Sequence, residues 1–223
     1  MDDSDRLPQS VRAQMRKTGS FVGAGEFLLE GIRPGLDTTR PIDIFAYSQG
    51  DSFGTGMAAG ADQNMIRHLR IIDPAAMQKR GWLNMVATSA IKVSGHAKDY
   101  RSSSSADPES IALHNSEVLM KARRTLPLPK EIAARYDMYV SYPCAMGRAA
   151  IMSDMEQAIA NISGEVSVII PNKSEFNTVA NVSTRLARLA IATVATINLF
   201  EFQDARHAFP EAHPNVLARL ATL

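Results

Sequence analysis

The chain has little of what usually exposes a protein's function. It carries one cysteine, Cys144, which excludes an intrachain disulfide and fits a reducing compartment. Its five histidines, His68, His96, His114, His207 and His213, are scattered, and none stands four positions from another with a glutamate between, so no metal is expected. Charge of neither sign dominates: 24 Lys+Arg face 23 Asp+Glu. The molecule therefore has no long-range field, and any nucleic-acid site must be a local patch. No run of about 18 uncharged apolar residues exists, and the most apolar window, 179 to 202, is interrupted by Arg185, Arg188 and Asn198. The acidic start, Met1-Asp2-Asp3-Ser4-Asp5-Arg6, lacks the basic-then-apolar order of an export signal. These features predict a cytoplasmic protein without a membrane span.

Catalytic signatures are few. No Gly-x-x-x-x-Gly-Lys-Ser/Thr phosphate loop occurs. Cys144, placed beyond a strand at the start of a helix, could be an activated nucleophile, but without a placed base it reads as a small core residue. One run resembles a dinucleotide fingerprint: Gly54-Thr55-Gly56-Met57-Ala58-Ala59-Gly60. It fails on geometry, because six residues separate it from the preceding strand, its last glycine is one position late, and Asp73 falls at a helix end. The expectation is a chain with no catalytic residue and no cofactor.

What is present is a globular composition, 45% hydrophobic with a mean hydropathy of −0.11. The expected organisation is a flexible arm over 1–20, then one helix-rich domain over 21–223 with a flexible Ser-rich loop near 95–106. Residues 40 to 47 alternate and read as a strand, with Ile42, Ile44 and Ala46 against Asp43, Phe45 and Tyr47. The glycine-rich run from 48 to 60 reads as a flexible or tightly turned loop. Helices are expected over 62–72, ending at Asp73-Pro74, over 75–93, and from Asp107-Pro108 to 126. Residues 136 to 142 alternate as a second strand closed by Pro143. A helix restarts at Ser153, with Glu156 at the capping-box offset, and stops at Gly164. Residues 165 to 170 read as a third strand. The longest helix is expected over 174–202, on the stripe Val179, Val182, Leu186, Leu189, Ala190, Val194 and Ile197.

Basic residues cluster locally at Arg67 and Arg70, at Lys79 and Arg80, at Lys121, Arg123 and Arg124, and at Arg185 and Arg188. The helix dipole accounts for Lys121 to Arg124 in a last helical turn, and a solvated face for Arg185 and Arg188.

Two segments carry a family resemblance. One is the helix closing with Leu119-Met120-x-x-Arg123-x-x-Leu126. The other is Tyr139-Val140-Ser141, then Pro143, then Ile151-Met152-Ser153-Asp154-Met155-Glu156, with Lys173 and a long helix following. Over about a third of the chain this resembles the AcaB family, regulators found on integrating conjugative elements and conjugative plasmids. The resemblance implies a ribbon-helix-helix related α+β fold, mostly helical, and a homodimer that binds double-stranded DNA and regulates transcription. Two strands, one per subunit, would pair antiparallel in the major groove. The implied ribbon residues are Asp43 and Tyr47, or Asp137, Tyr139 and Ser141, with Arg40, Arg135 and Arg148 on phosphates. The rival reading from another class is a self-assembling coat or scaffold subunit. A third is a small-molecule enzyme using the glycine loop.

Overall fold

In the computed structural model the described residues are 7–37, 39–75, 77–81, 83–85, 87–88, 141–148, 150–192, 195–203, 205 and 207. Their frame is a four-stranded sheet in the order β1-β2-β3-β4. The strands are β1 (Ile42–Tyr47), β2 (Ile66–Ile72), β3 (Glu165–Pro171) and β4 (Thr196–Phe202). Every neighbouring pair is parallel. Parallel neighbours need a crossover between them, and the chain supplies helices for it. Helix α3 (Gly50–Gly60) lies between β1 and β2, α5 (Ile151–Asn161) between β2 and β3, and α6 (Val179–Ala192) between β3 and β4. Before β1 come α1 (Gln9–Thr18) and α2 (Val22–Ile32), and α4 (Tyr142–Met146) precedes α5.

The core follows from strand alternation. Ile44, Ala46, Leu69, Ile71, Val166, Val168 and Ile170 share a buried cluster with Ala58 of α3, Met155 of α5 and Val182, Leu186 and Leu189 of α6. The opposite sheet face buries Ile72 and Ile169 with Ala205, and Tyr47 and Phe202 pack on them. Six of the seven residues of β3 are buried, as a strand covered on both faces requires.

The glycine-rich run is the helix α3, not a loop. Its glycines let backbones approach. A Cβ on Gly25 of α2 would stand 2.1 Å from the Gly56 carbonyl carbon, one on Gly56 2.3 Å from the Phe21 carbonyl oxygen, and one on Gly54 2.8 Å from the Ala46 Cβ. Close contact offsets the roughly 1 kcal/mol by which each interior glycine weakens a helix. Gly56→Ala is expected to destabilise the fold by on the order of 2 kcal/mol, because backbone cannot yield as a flexible side chain would. An unchanged urea midpoint would contradict this packing.

The N-terminal polar stretch contains α1, which packs against α4, with Met15 and the preceding Leu7 buried. The start of α2 is tied to α5: Ser20 Oγ and the Phe21 amide donate to the two Asp154 carboxylate oxygens, each at 2.7 Å. Burial lifts that carboxyl above the usual carboxylate range.

Several expectations are corrected. The fold is not an α+β ribbon-helix-helix arrangement but a parallel sheet with helical crossovers. The expected ribbon at 40–47 is β1, which pairs in parallel with β2 of its own chain, and a two-fold axis would pair it antiparallel with its twin. Of the other ribbon, residues 136–140 lie outside the described residues, and Tyr142 opens α4, with Pro143 in that helix's first turn. The expected helix at 62–72 is β2. Ile66 and Leu69 have helical spacing while Leu69 and Ile71 alternate, and pairing on both edges decides for the strand. The long helix at 174–202 is α6 followed by β4. Ser153 is not a cap, since α5 starts at Ile151. The Ser-rich loop at 95–106 and the Asp107 helix lie outside the described residues.

Candidate active site

Parallel strands deliver their C-terminal ends to one edge of the sheet, which is where ligands bind in open α/β sheets. Three such ends here carry side chains joined by hydrogen bonds. β1 ends at Tyr47, and the next residue, Ser48, takes a left-handed conformation with φ of 58° before α3 begins. β2 ends at Ile72, and the next residue, Asp73, is again left-handed, φ 46°. Such backbone costs non-glycine residues about 1–3 kcal/mol and persists where the surroundings over-determine it. Beyond β4 stands His207, 3% exposed.

The Ser48 hydroxyl lies 2.6 Å from His207 Nε2, and His207 Nδ1 lies 2.7 Å from Asp73 Oδ2. The carboxylate takes the Nδ1 hydrogen, which leaves the Nε2 lone pair facing the serine O–H. Nucleophile, base and orienting acid therefore form one chain, the geometry that defines a Ser-His-Asp triad whatever the sequence spacing.

Each member is held. Asp73 is fully buried; the Ser174 hydroxyl donates to both its oxygens, at 2.7 and 2.5 Å, and Asn177 Nδ2 donates to Oδ1 at 2.7 Å. Ser174 in turn accepts the amides of Phe176 and Asn177, so the turn after β3 is built around the acid. His207 is flanked by the rings of Phe176, 4.5 Å away, and Tyr47, 5.1 Å away. The Tyr47 hydroxyl donates to the His207 carbonyl at 2.8 Å, and the His207 amide donates to Glu175 Oε2 at 3.3 Å. Ser48 itself is only half-buried, as a nucleophile must be. The first turn of α3 stands directly behind it, with its amide dipoles toward the serine.

The residues expected to bind DNA do not assemble. Arg40 is exposed, 3.7 Å from Asp37, and Asp43 pairs with Arg67 at 2.7 Å, which holds its carboxyl below the usual range. Both lie at the N-terminal end of β1. Tyr47 is at the site, but as a support of His207. Ser141 is buried and accepts from Arg16 at 3.1 Å, and Arg148 is exposed past α4. Arg135, Asp137 and Tyr139 lie outside the described residues. Cys144 sits half-buried in α4.

None of the triad was singled out from sequence. The chain's Gly-x-Ser-x-Gly, Gly50-Asp51-Ser52-Phe53-Gly54, lies within α3 with Ser52 fully buried, whereas the turn that presents the nucleophile is Ala46-Tyr47-Ser48-Gln49-Gly50. The usable signal was an alternating strand followed by Ser-x-Gly and an apolar small-residue helix.

No family model matches the chain, and no curated protein matches it in sequence. Solved structures do match in fold. An N-formylmaleamic acid deformylase from Pseudomonas putida superposes with a TM-score of 0.55 at 13% identity, over 91% of this chain and 73% of that one. A bromoperoxidase from Bacillus anthracis gives 0.53 at 12%, over 91% and 73%. A peroxisomal alpha-beta-hydrolase from Saccharomyces cerevisiae gives 0.51 at 12%, over 91% and 58%. With the parallel sheet, these likenesses overturn the ribbon-helix-helix resemblance, and with it the DNA-binding regulator, the scaffold subunit, the DNA partner and the non-enzyme reading. Among the described residues no helix is long and apolar enough to cross a membrane. The chain has the α/β-hydrolase fold.

Proposed function

We propose that the protein is a serine hydrolase that cleaves a carboxylic ester, thioester or amide through an acyl-enzyme. The observation that carries this reading is the hydrogen-bonded chain Ser48–His207–Asp73 at the C-terminal ends of parallel strands. Neighbours of the same fold named as a deformylase, a hydrolase and a thioesterase domain support it.

In the acylation half, Ser48 Oγ attacks the acyl carbon while His207 Nε2 takes its proton, then passes that proton to the leaving group. Asp73 keeps His207 in the tautomer with hydrogen on Nδ1 and stabilises the imidazolium that forms. The Gln49 amide, next after the nucleophile at the start of α3, is one donor for the developing oxyanion. Water then attacks the acyl-Ser48 ester, activated by the same histidine.

A fluorophosphonate is the direct test, since it phosphonylates an activated serine whatever the natural substrate. Intact-mass and peptide analysis is expected to show one adduct, on Ser48. No adduct, or an adduct on another residue, would refute the hydrolase reading.

A further inference from the structure

Three residues past the nucleophile, Asp51 is fully buried in the first turn of α3. Its amide donates to the Ser48 carbonyl at 3.2 Å, and its Oδ1 accepts the Ile72 amide at 3.3 Å. Ile72 immediately precedes Asp73, and its carbonyl accepts the Ser48 amide at 3.0 Å. The carboxyl thus spans the two left-handed turns that present nucleophile and acid. Its Oδ2 has no hydrogen-bond partner. Burying a carboxyl with one oxygen unpartnered is unfavourable, and a group kept at such a disadvantage beside reacting residues points to a role there.

We propose that Asp51 is a positioning residue of the triad, holding the Ser48 turn and the Asp73 turn at the separation that lets His207 bridge them. The role rests on the hydrolase reading and deepens it. Burial, and next the charge of Asp73, push the Asp51 carboxyl well above the usual carboxylate range. Among the described residues Asp73, at the end of β2, is the charge acting on it, with His207 one contact further on. A neutral amide at position 51 can still accept the Ile72 amide, so Asp51→Asn preserves the link that Asp51→Ala removes.

The experiment measures the second-order rate of Ser48 labelling by a fluorophosphonate, with thermal melts alongside, on the full chain between about pH 6 and 10. Asp51→Ala is expected to label ten- to a hundredfold more slowly below its melting range, the scale on which small misplacements act, while Asp51→Asn stays within about threefold. Labelling of Asp51→Ala at the wild-type rate despite a lower melting temperature would reduce Asp51 to a structural residue and overturn the role. Should Asp51→Ala not fold, the pH series decides. Wild type is expected to lose labelling rate and stability relative to Asp51→Asn as rising pH ionises Asp51; parallel pH profiles for the two would overturn the role. Wild type that labels nowhere would instead remove the hydrolase reading itself.

Discussion

Ser48→Ala is expected to lower kcat on a model ester by about a millionfold, leaving the roughly 10³–10⁴-fold advantage over water that binding and oxyanion contacts retain. The prediction follows from position. Ser48 is the half-buried hydroxyl within hydrogen-bond reach of His207 Nε2, and alanine removes the attacking atom while leaving the left-handed turn to another non-glycine residue. Folding is expected to be nearly unchanged, so the loss is read from kcat with KM unaltered. Activity within tenfold of wild type would mean that the chemistry lies elsewhere.

The second large effect is Asp73→Asn, expected to lower kcat about 10⁴-fold with little change in KM. Here the surrounding donors dictate the outcome. Asn177 Nδ2 donates to Asp73 Oδ1, and the Ser174 hydroxyl lies within reach of both oxygens and can accept as well as donate, so the new carboxamide must place its oxygen at Oδ1 and its NH2 where Oδ2 faced His207. The imidazole then accepts at Nδ1 and carries its hydrogen on Nε2, pointing a donor at Ser48 that cannot take the serine proton. A loss below tenfold would show that another group orients the histidine. Ser174→Ala should act more mildly, since Asn177 still holds Oδ1.

The fold was partly legible. β1 ended where its alternation broke, at Tyr47, and β3 matched its apolar run closely. The buried stripe of α6 lay on Val182, Leu186 and Leu189, and Gly164 followed the end of α5. The failures have common causes. Glycine propensity argued against α3, because a single sequence does not display the backbone of α2 and the side chain of Ala46 that its glycines make room for. The run 66–72 fitted either period, and 174–202 read as one helix because the apolar stripe continued into β4. In sequence the polar residues of β1 resemble exposed base readers; in the parallel sheet Asp43 is taken by Arg67.

By itself the sequence determined local matters: no disulfide, a globular composition, the extents of β1 and β3, the apolar stripe of α6. Tertiary structure alone decided the site. Ser48 and His207 are 159 residues apart, Asp73 and His207 134, and no periodicity or spacing records that they meet. They meet because parallel pairing sets every strand's C-terminal end on one edge, with a helix returning the chain between. Local pattern governs which residues a strand buries. Only strand order and crossover packing govern which strand ends share an edge.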